Sequence, residues 1–148
     1  MKKVRLALLA VLLLSAAAAR AHHAGGKLVV HDPWVRESLP GKTMSAGFLT
    51  FANDGEADAL VGASCDCAAA VEMHRMVEAG GMMKMEQVPE IAIPSHAEVK
   101  LAPGGLHLMF FGVKTPLQAG QNVQLTLTFK SAPPQTLEVP VRALEGKK

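Results

Sequence analysis

From Lys27 onward, hydrophobic residues recur with a period of two in short runs, and each run stops at a cluster of Gly, Pro, Asn or Asp. A period of two sends alternate side chains to opposite faces of an extended strand, whereas a helix needs spacings of three and four. Gln124, Thr126 and Thr128 alternate with Leu125, Leu127 and Phe129, the pattern of a strand with one wet face. Nine strands are predicted: Leu28 to Arg36, Met44 to Ala52, Ala59 to Ala63, Ala70 to Val77, Met83 to Val88, Glu98 to Leu101, Leu106 to Val113, Val123 to Phe129 and Thr136 to Arg142. The separators carry turn chemistry, among them Pro40-Gly41, Asn53-Asp54-Gly55, Gly80-Gly81 and Pro103-Gly104-Gly105. No stretch after residue 21 makes a convincing amphipathic helix, although a brief one fits between Cys65 and Ala70. The expected fold is all-β, one domain, a two-sheet sandwich or Greek-key barrel. With 148 residues, 49% of them hydrophobic, the chain can build a real core.

The first 21 residues follow a different logic. Lys2, Lys3 and Arg5 precede an apolar run from Leu6 to Leu14, and Ala19-Arg20-Ala21 suits signal peptidase. The run is shorter than the roughly 20 residues of a bilayer span, so a cleaved signal peptide over 1–21 is expected, with no stable membrane insertion. Residues 22–27 are then a flexible segment, 28–144 the β-domain and 145–148 a tail. Export places the chain in an oxidising compartment, the periplasm. Setting aside Lys2, Lys3, Arg5 and Arg20 leaves eleven basic against thirteen acidic residues, and no basic patch with interleaved aromatics appears. Nucleic acid is therefore excluded as a partner.

Eight Met and six His stand beside a single Trp and no Tyr. His107 and Met109 lie two apart in a predicted strand, so an imidazole and a thioether share one face about 7 Å apart. The runs around His74 and Met85 flank Gly80-Gly81, and a hairpin there would bring those two side chains near one another. Two imidazoles and two neutral thioethers form a soft set that suits Cu(I), since zinc prefers thiolate, imidazole or carboxylate, and calcium and magnesium take oxygen. No Cys joins the set as it would in a blue-copper centre, so the donors suit carrying copper rather than shuttling electrons.

The spacing His74, ten residues, Met85, twenty-one residues, His107, one residue, Met109 resembles the motif of the periplasmic PCu(A)C family of copper chaperones at every step. Pro33-Trp34-Val35-Arg36, Ala46-Gly47-Phe48-Leu49, Met83-Lys84-Met85 and the run from Leu101 to Met109 are also similar to that family, and the likeness extends from about Val30 to Ala143. The resemblance implies a cupredoxin-like β-fold holding one Cu(I) through His74, Met85, His107 and Met109, with no enzymatic turnover. It further implies delivery to cytochrome c oxidase assembly, either to the subunit carrying the dinuclear copper centre or to a Sco-type protein. Some members carry a Met- and His-rich tail that binds Cu(II), which Leu144 to Lys148 does not match.

Other residues keep open readings. Cleavage after Ala21 would set an α-amino group beside His22 and His23, a set suited to a weak Cu(II) site, although an unstructured, solvated tail is the preferred reading. Cys65 and Cys67 fit a local disulfide if a bulge or turn intervenes, a redox-active thiol pair, or auxiliary copper ligands. His31 and His96 read as solvated, Trp34 as a core or rim aromatic, and Met76 and Met83 as neighbours of the site. A copper buffer or resistance protein, and a thiol-disulfide redox protein using Cys65/Cys67, are the alternative functions.

Overall fold

The computed structural model describes residues 27–143. The expected signal peptide over 1–21, His22 and His23, and the tail at 145–148 lie outside the described residues. Ten strands follow one another: β1 (Leu28–Arg36), β2 (Met44–Asn53), β3 (Asp58–Cys65), β4 (Ala68–Ala79), β5 (Met82–Gln87), β6 (Ile91–Ile93), β7 (Ala97–Leu101), β8 (His107–Val113), β9 (Asn122–Phe129) and β10 (Gln135–Arg142). The order β4-β8-β2-β1-β10-β9-β3 closes on itself because Ala63 of β3 pairs with Val71 of β4. The result is a seven-stranded barrel, with β5 added to β4, β6 to β3 and β7 to β2. Of the two expected architectures the barrel is realised. The segment between Cys65 and Ala70 is a two-residue turn rather than a brief helix.

Alternation fills the barrel. Val35, Phe51, Leu60, Leu108, Phe110, Leu127 and Val139 are fully buried, and the residues on either side of Val35, Phe51, Phe110, Leu127 and Val139 are partly or fully exposed. Phe51 and Phe129 meet edge to face with centroids 5.8 Å apart, a favoured aromatic geometry. Gly47 has no side chain because one could not fit easily: a Cβ there would stand 2.8 Å from the Phe110 ring.

Two local devices decide what reaches the outer face. Gly80 and Gly81, both at positive φ, make the two-residue connection between Ala79 and Met82. Two consecutive positive φ values are what a type I′ hairpin requires, and they fix the register that pairs Met76 with Met85 and His74 with Gln87. In β1, Asp32 sits at φ 45 before Pro33, and the pairing with β2 slips between His31 and Trp34. A proline cannot donate to the ladder, so the bulge falls there. It resets the alternation, leaving Val35 in the core and Trp34 and Arg36 outside.

Asp58 opens β3 and ties it to the turn after β9. Its carboxylate accepts from the backbone N–H groups of Ala59 at 2.8 Å, Ser131 at 2.9 Å and Ala132 at 2.8 Å. Burial works to raise its pKa, but the donors from Ala132, Ala59 and Ser131 outweigh it and hold the carboxyl below its ordinary 3.8. A group depressed in the folded state stabilises above its unfolded pKa and loses that contribution as pH falls through the folded value. Asp58→Ala is therefore expected to cost about 1 kcal/mol at neutral pH, since the turn is largely open to water. The gap between wild type and variant should close in acid below about pH 4, as read by urea denaturation at both pH values.

Candidate metal centre

β4, β8 and β5 lie side by side, and their register sets one outward face. His74 pairs with His107, Glu72 with Met109, and Met76 with Met85. Paired residues in adjacent strands share a face, so the four soft donors and Glu72 all point the same way. Behind them, Met73, Leu108 and Phe110 point into the core and anchor the strands.

Each imidazole is held in a defined orientation. Nδ1 of His107 lies 3.0 Å from the carbonyl oxygen of Gly105. A carbonyl only accepts, so Nδ1 donates, and in the neutral ring Nε2 carries the lone pair. That Nε2 faces the Met85 sulfur at 3.3 Å. Gly105 is itself fixed, since its carbonyl also accepts from the Met76 N–H at 3.2 Å and its own N–H donates to Ala102 at 3.0 Å.

His74 presents the opposite nitrogen. Its Nε2 donates to the Glu72 carboxylate at 2.9 Å, and its Nδ1 is buried with no partner. Its ring stacks on that of His107, centroids 6.0 Å apart and planes 28° apart, and leans on Phe111 at 5.9 Å. Both His residues are 6% exposed, whereas Met85 is 45% exposed on the outermost strand and Met109 lies between. An orphaned nitrogen lone pair in the interior is costly, and it belongs to the ring stacked on the His107 imidazole, whose own Nε2 faces a sulfur. Among the described residues no three His, Cys, Asp or Glu side chains gather to hold a metal. A metal bound at this face would therefore have to recruit thioethers, which selects a soft ion over zinc or calcium.

Several expectations meet their outcome here. The expected hairpin forms, and it sets Met85 directly opposite Met76 and on the same face as His74, with its sulfur against His107. The two-residue offset follows from the hairpin register, which places Gln87 opposite His74. Met76 and Met83 do lie on the same face as Met85, the latter 56% exposed. His31 and His96 are exposed, with His96 at a positive φ of 52, and neither joins the cluster. Glu72 was not singled out from the sequence. Its position two before His74 was the available signal, because i and i+2 share a face.

Cys65 and Cys67 form a disulfide across the turn between β3 and β4, with Cα atoms 5.1 Å apart. The turn at Asp66 supplies the bend that a regular strand lacks. No free thiol is present, and Ala68 next to the bridge is about 20 Å from His74 along β4, from the rise per residue. Auxiliary copper ligation by these sulfurs is therefore not what this arrangement offers.

Residues 28–141 match the LpqE-like family. The chain is 34% identical over 119 residues to "Putative lipoprotein Lxx21020" of Leifsonia xyli subsp. xyli, an alignment covering 79% of this chain and 70% of that relative. Among solved structures, the copper-bound PCuAC domain from PmoF2 superposes with a TM-score of 0.69 at 25% identity, covering 82% of this chain and 97% of that domain. The solution structure of CuI-DR1885 from Deinococcus radiodurans superposes with a TM-score of 0.65 at 27% identity, covering 86% of this chain and 85% of that one. The chain belongs to the LpqE-like family and is a single-domain, cupredoxin-like protein of the PCu(A)C type.

Proposed function

We propose that this protein is a copper carrier that takes one Cu(I) on His74, Met85, His107 and Met109 and passes it to an acceptor protein. One observation carries the reading: the His107 Nε2 lone pair against the Met85 sulfur at 3.3 Å, on a ring stacked with that of His74, whose Nδ1 is buried and unpartnered. The copper bound by the PmoF2 domain and by DR1885 supports it. Thioethers carry no proton to lose, so only the imidazoles make uptake sensitive to pH.

The arrangement also suggests how the metal leaves. The imidazoles are buried and hydrogen-bonded, while Met85 is exposed at the sheet edge. A partner's sulfur would displace Met85 first and the imidazoles last. The reading includes no catalytic step. Export to the periplasm agrees with the charged and apolar pattern of residues 1–21 and with the lipoprotein name of the Leifsonia relative. The acceptors we favour are the cytochrome c oxidase subunit with the dinuclear copper centre and a Sco-type protein. Cu(I)-loaded protein mixed with either copper-free acceptor domain should lose its metal to it. Retention of copper against both, with copper sensitivity as the only phenotype of a deletion, would identify a buffer instead.

Glu72 acts on the site through His74. Its carboxylate holds Nε2–H and so leaves Nδ1 as the nitrogen free to bind a metal, the outer-shell role that a carboxylate commonly plays toward a metal-bound imidazole. Glu72→Ala is expected to weaken Cu(I) binding by about 10- to 100-fold. Glu72→Gln keeps an accepting oxygen and should lose much less in the same chelator competition.

A further inference from the structure

The outer face continues past the four donors. Met109 pairs with Ala46 of β2, and two residues along β2 on the same face Phe48 pairs with Trp34 of β1. The Trp34 and Phe48 rings lie 4.6 Å apart, and the Arg142 guanidinium sits 5.8 Å from the Trp34 centroid. Arg36 stands next to Arg142 in the parallel pairing of β1 with β10. Over this aromatic floor, Pro103 and the turn at Gly120 wall a cleft of about 790 Å³. A second depression shares Trp34, Phe48, Pro103 and Arg142 with it and runs on to Lys100, so the two make one groove.

The charges of this groove are unbalanced. Arg36, Arg142 and Lys100 line it against the single acid Asp32. Among the described residues neither arginine has an ion pair, and Arg36 Nε is buried with no hydrogen-bond partner. Two cations in register on neighbouring strands repel, and a buried guanidinium N–H without an acceptor is costly. Within the fold Arg142 has the face of Trp34 as its contact, while Val35 and Val141 beside the two arginines are the residues that fill the core. A carboxylate in the groove would relieve the repulsion between the two cations, because guanidinium groups bind it through paired N–H donors.

We propose that this groove is a docking site for an acidic, extended segment of a partner protein. The cations are spread along the groove from Arg36 to Lys100 rather than gathered on one point, which matches carboxylates spaced along a chain. The Trp34–Phe48 floor offers apolar surface for that chain to lie on. The groove is separated from His107 and Met109 by the single strand β2. A protein seated in it would lie against the face that carries the soft donors. The proposal does not depend on copper binding and predicts association with the copper-free chain.

The chain has one Trp and no Tyr, so its tryptophan emission reports this groove alone. Titrating the copper-free protein with a peptide of alternating Glu and Ser should give a saturable change in Trp34 emission, together with amide shifts at Gly120 and Arg142. The affinity should fall with added salt as the charges are screened. Arg36→Gln and Arg142→Gln should each weaken it about tenfold, the loss of one charge-assisted hydrogen bond. Both variants should keep the wild-type melting temperature and Cu(I) affinity, which separates this test from that of the copper site. A matched peptide of Lys and Ser should give no response. Equal binding of the Glu and Lys peptides, no response to the Glu peptide, or citrate binding as tightly as the peptide would each overturn the proposal.

Discussion

Replacing His107 and Met109 together by Ala should abolish tight Cu(I) binding and leave the barrel standing. The alternation of β8 makes the two effects separable. His107, Met109 and Phe111 face outward, while Leu108 and Phe110, both fully buried, hold the strand to the core. Truncating the outward pair removes one imidazole lone pair and one thioether, and leaves Met85 without the nitrogen it faces at 3.3 Å. What remains, His74 and Met85, cannot enclose an ion. Loss of an outer-shell partner alone costs roughly 10- to 100-fold in metal affinity, so the loss of two direct donors should exceed about 100-fold. The folded state gives up mainly the hydrogen bond from His107 to Gly105, worth about 1 kcal/mol. Anaerobic competition with a chromophoric chelator reads the first effect, and thermal denaturation the second. A double variant that still takes up one tight equivalent would remove His107 and Met109 from the site.

Phe110→Ala should produce the reverse pattern. The ring is fully buried and fills the space over Gly47, where any Cβ would stand 2.8 Å from it. Its removal opens a cavity lined by a residue that has no side chain to collapse into it, so the cost should reach about 3–5 kcal/mol. For a domain of this size that lowers the melting temperature by roughly 10–20 °C. Phe110 points away from the donor face, so the folded fraction should still bind Cu(I), and saturating copper should restore part of the lost melting temperature by binding only the folded state. A fall in copper affinity comparable to that of the His107/Met109 variant, with little change in stability, would show that β8 does not divide its two faces in this way.

The contrast between these variants reflects what the sequence makes legible. Period-two alternation is a local signal, and it locates β1 from Leu28 to Arg36 and places His107 and Met109 on one face. Gly80-Gly81 marks the hairpin because consecutive positive φ values need glycine. The barrel closure was not readable, since it depends on one pairing between Ala63 and Val71 that no local pattern announces. Strand β6 is three residues between Pro89 and Pro94, too short to show a period. The hairpin brings Met85 to the face of His74 as its glycines suggest, but the exact register that sets it opposite Met76 and its sulfur against His107 was not readable. Glu72 and the Gly105 carbonyl escaped because they orient the imidazoles rather than supply soft donors, and the spacing of the donors carries no information about what orients them. Similarly, the bulge at Asp32-Pro33 turns Trp34 and Arg36 outward by an extra residue that only the pairing with β2 reveals.

The central claim is that one Cu(I) is held by imidazole and thioether together. Copper K-edge X-ray absorption of the protein loaded anaerobically with one equivalent tests it most directly, because nitrogen and sulfur scatterers are distinguished at the metal. The expected spectrum is a Cu(I) edge with both nitrogen and sulfur bound to the metal, and that mixed coordination should be lost in the His107→Ala/Met109→Ala variant. A first shell of nitrogen and oxygen alone, or of sulfur alone in a form that vanishes with Cys65→Ser/Cys67→Ser, would contradict it.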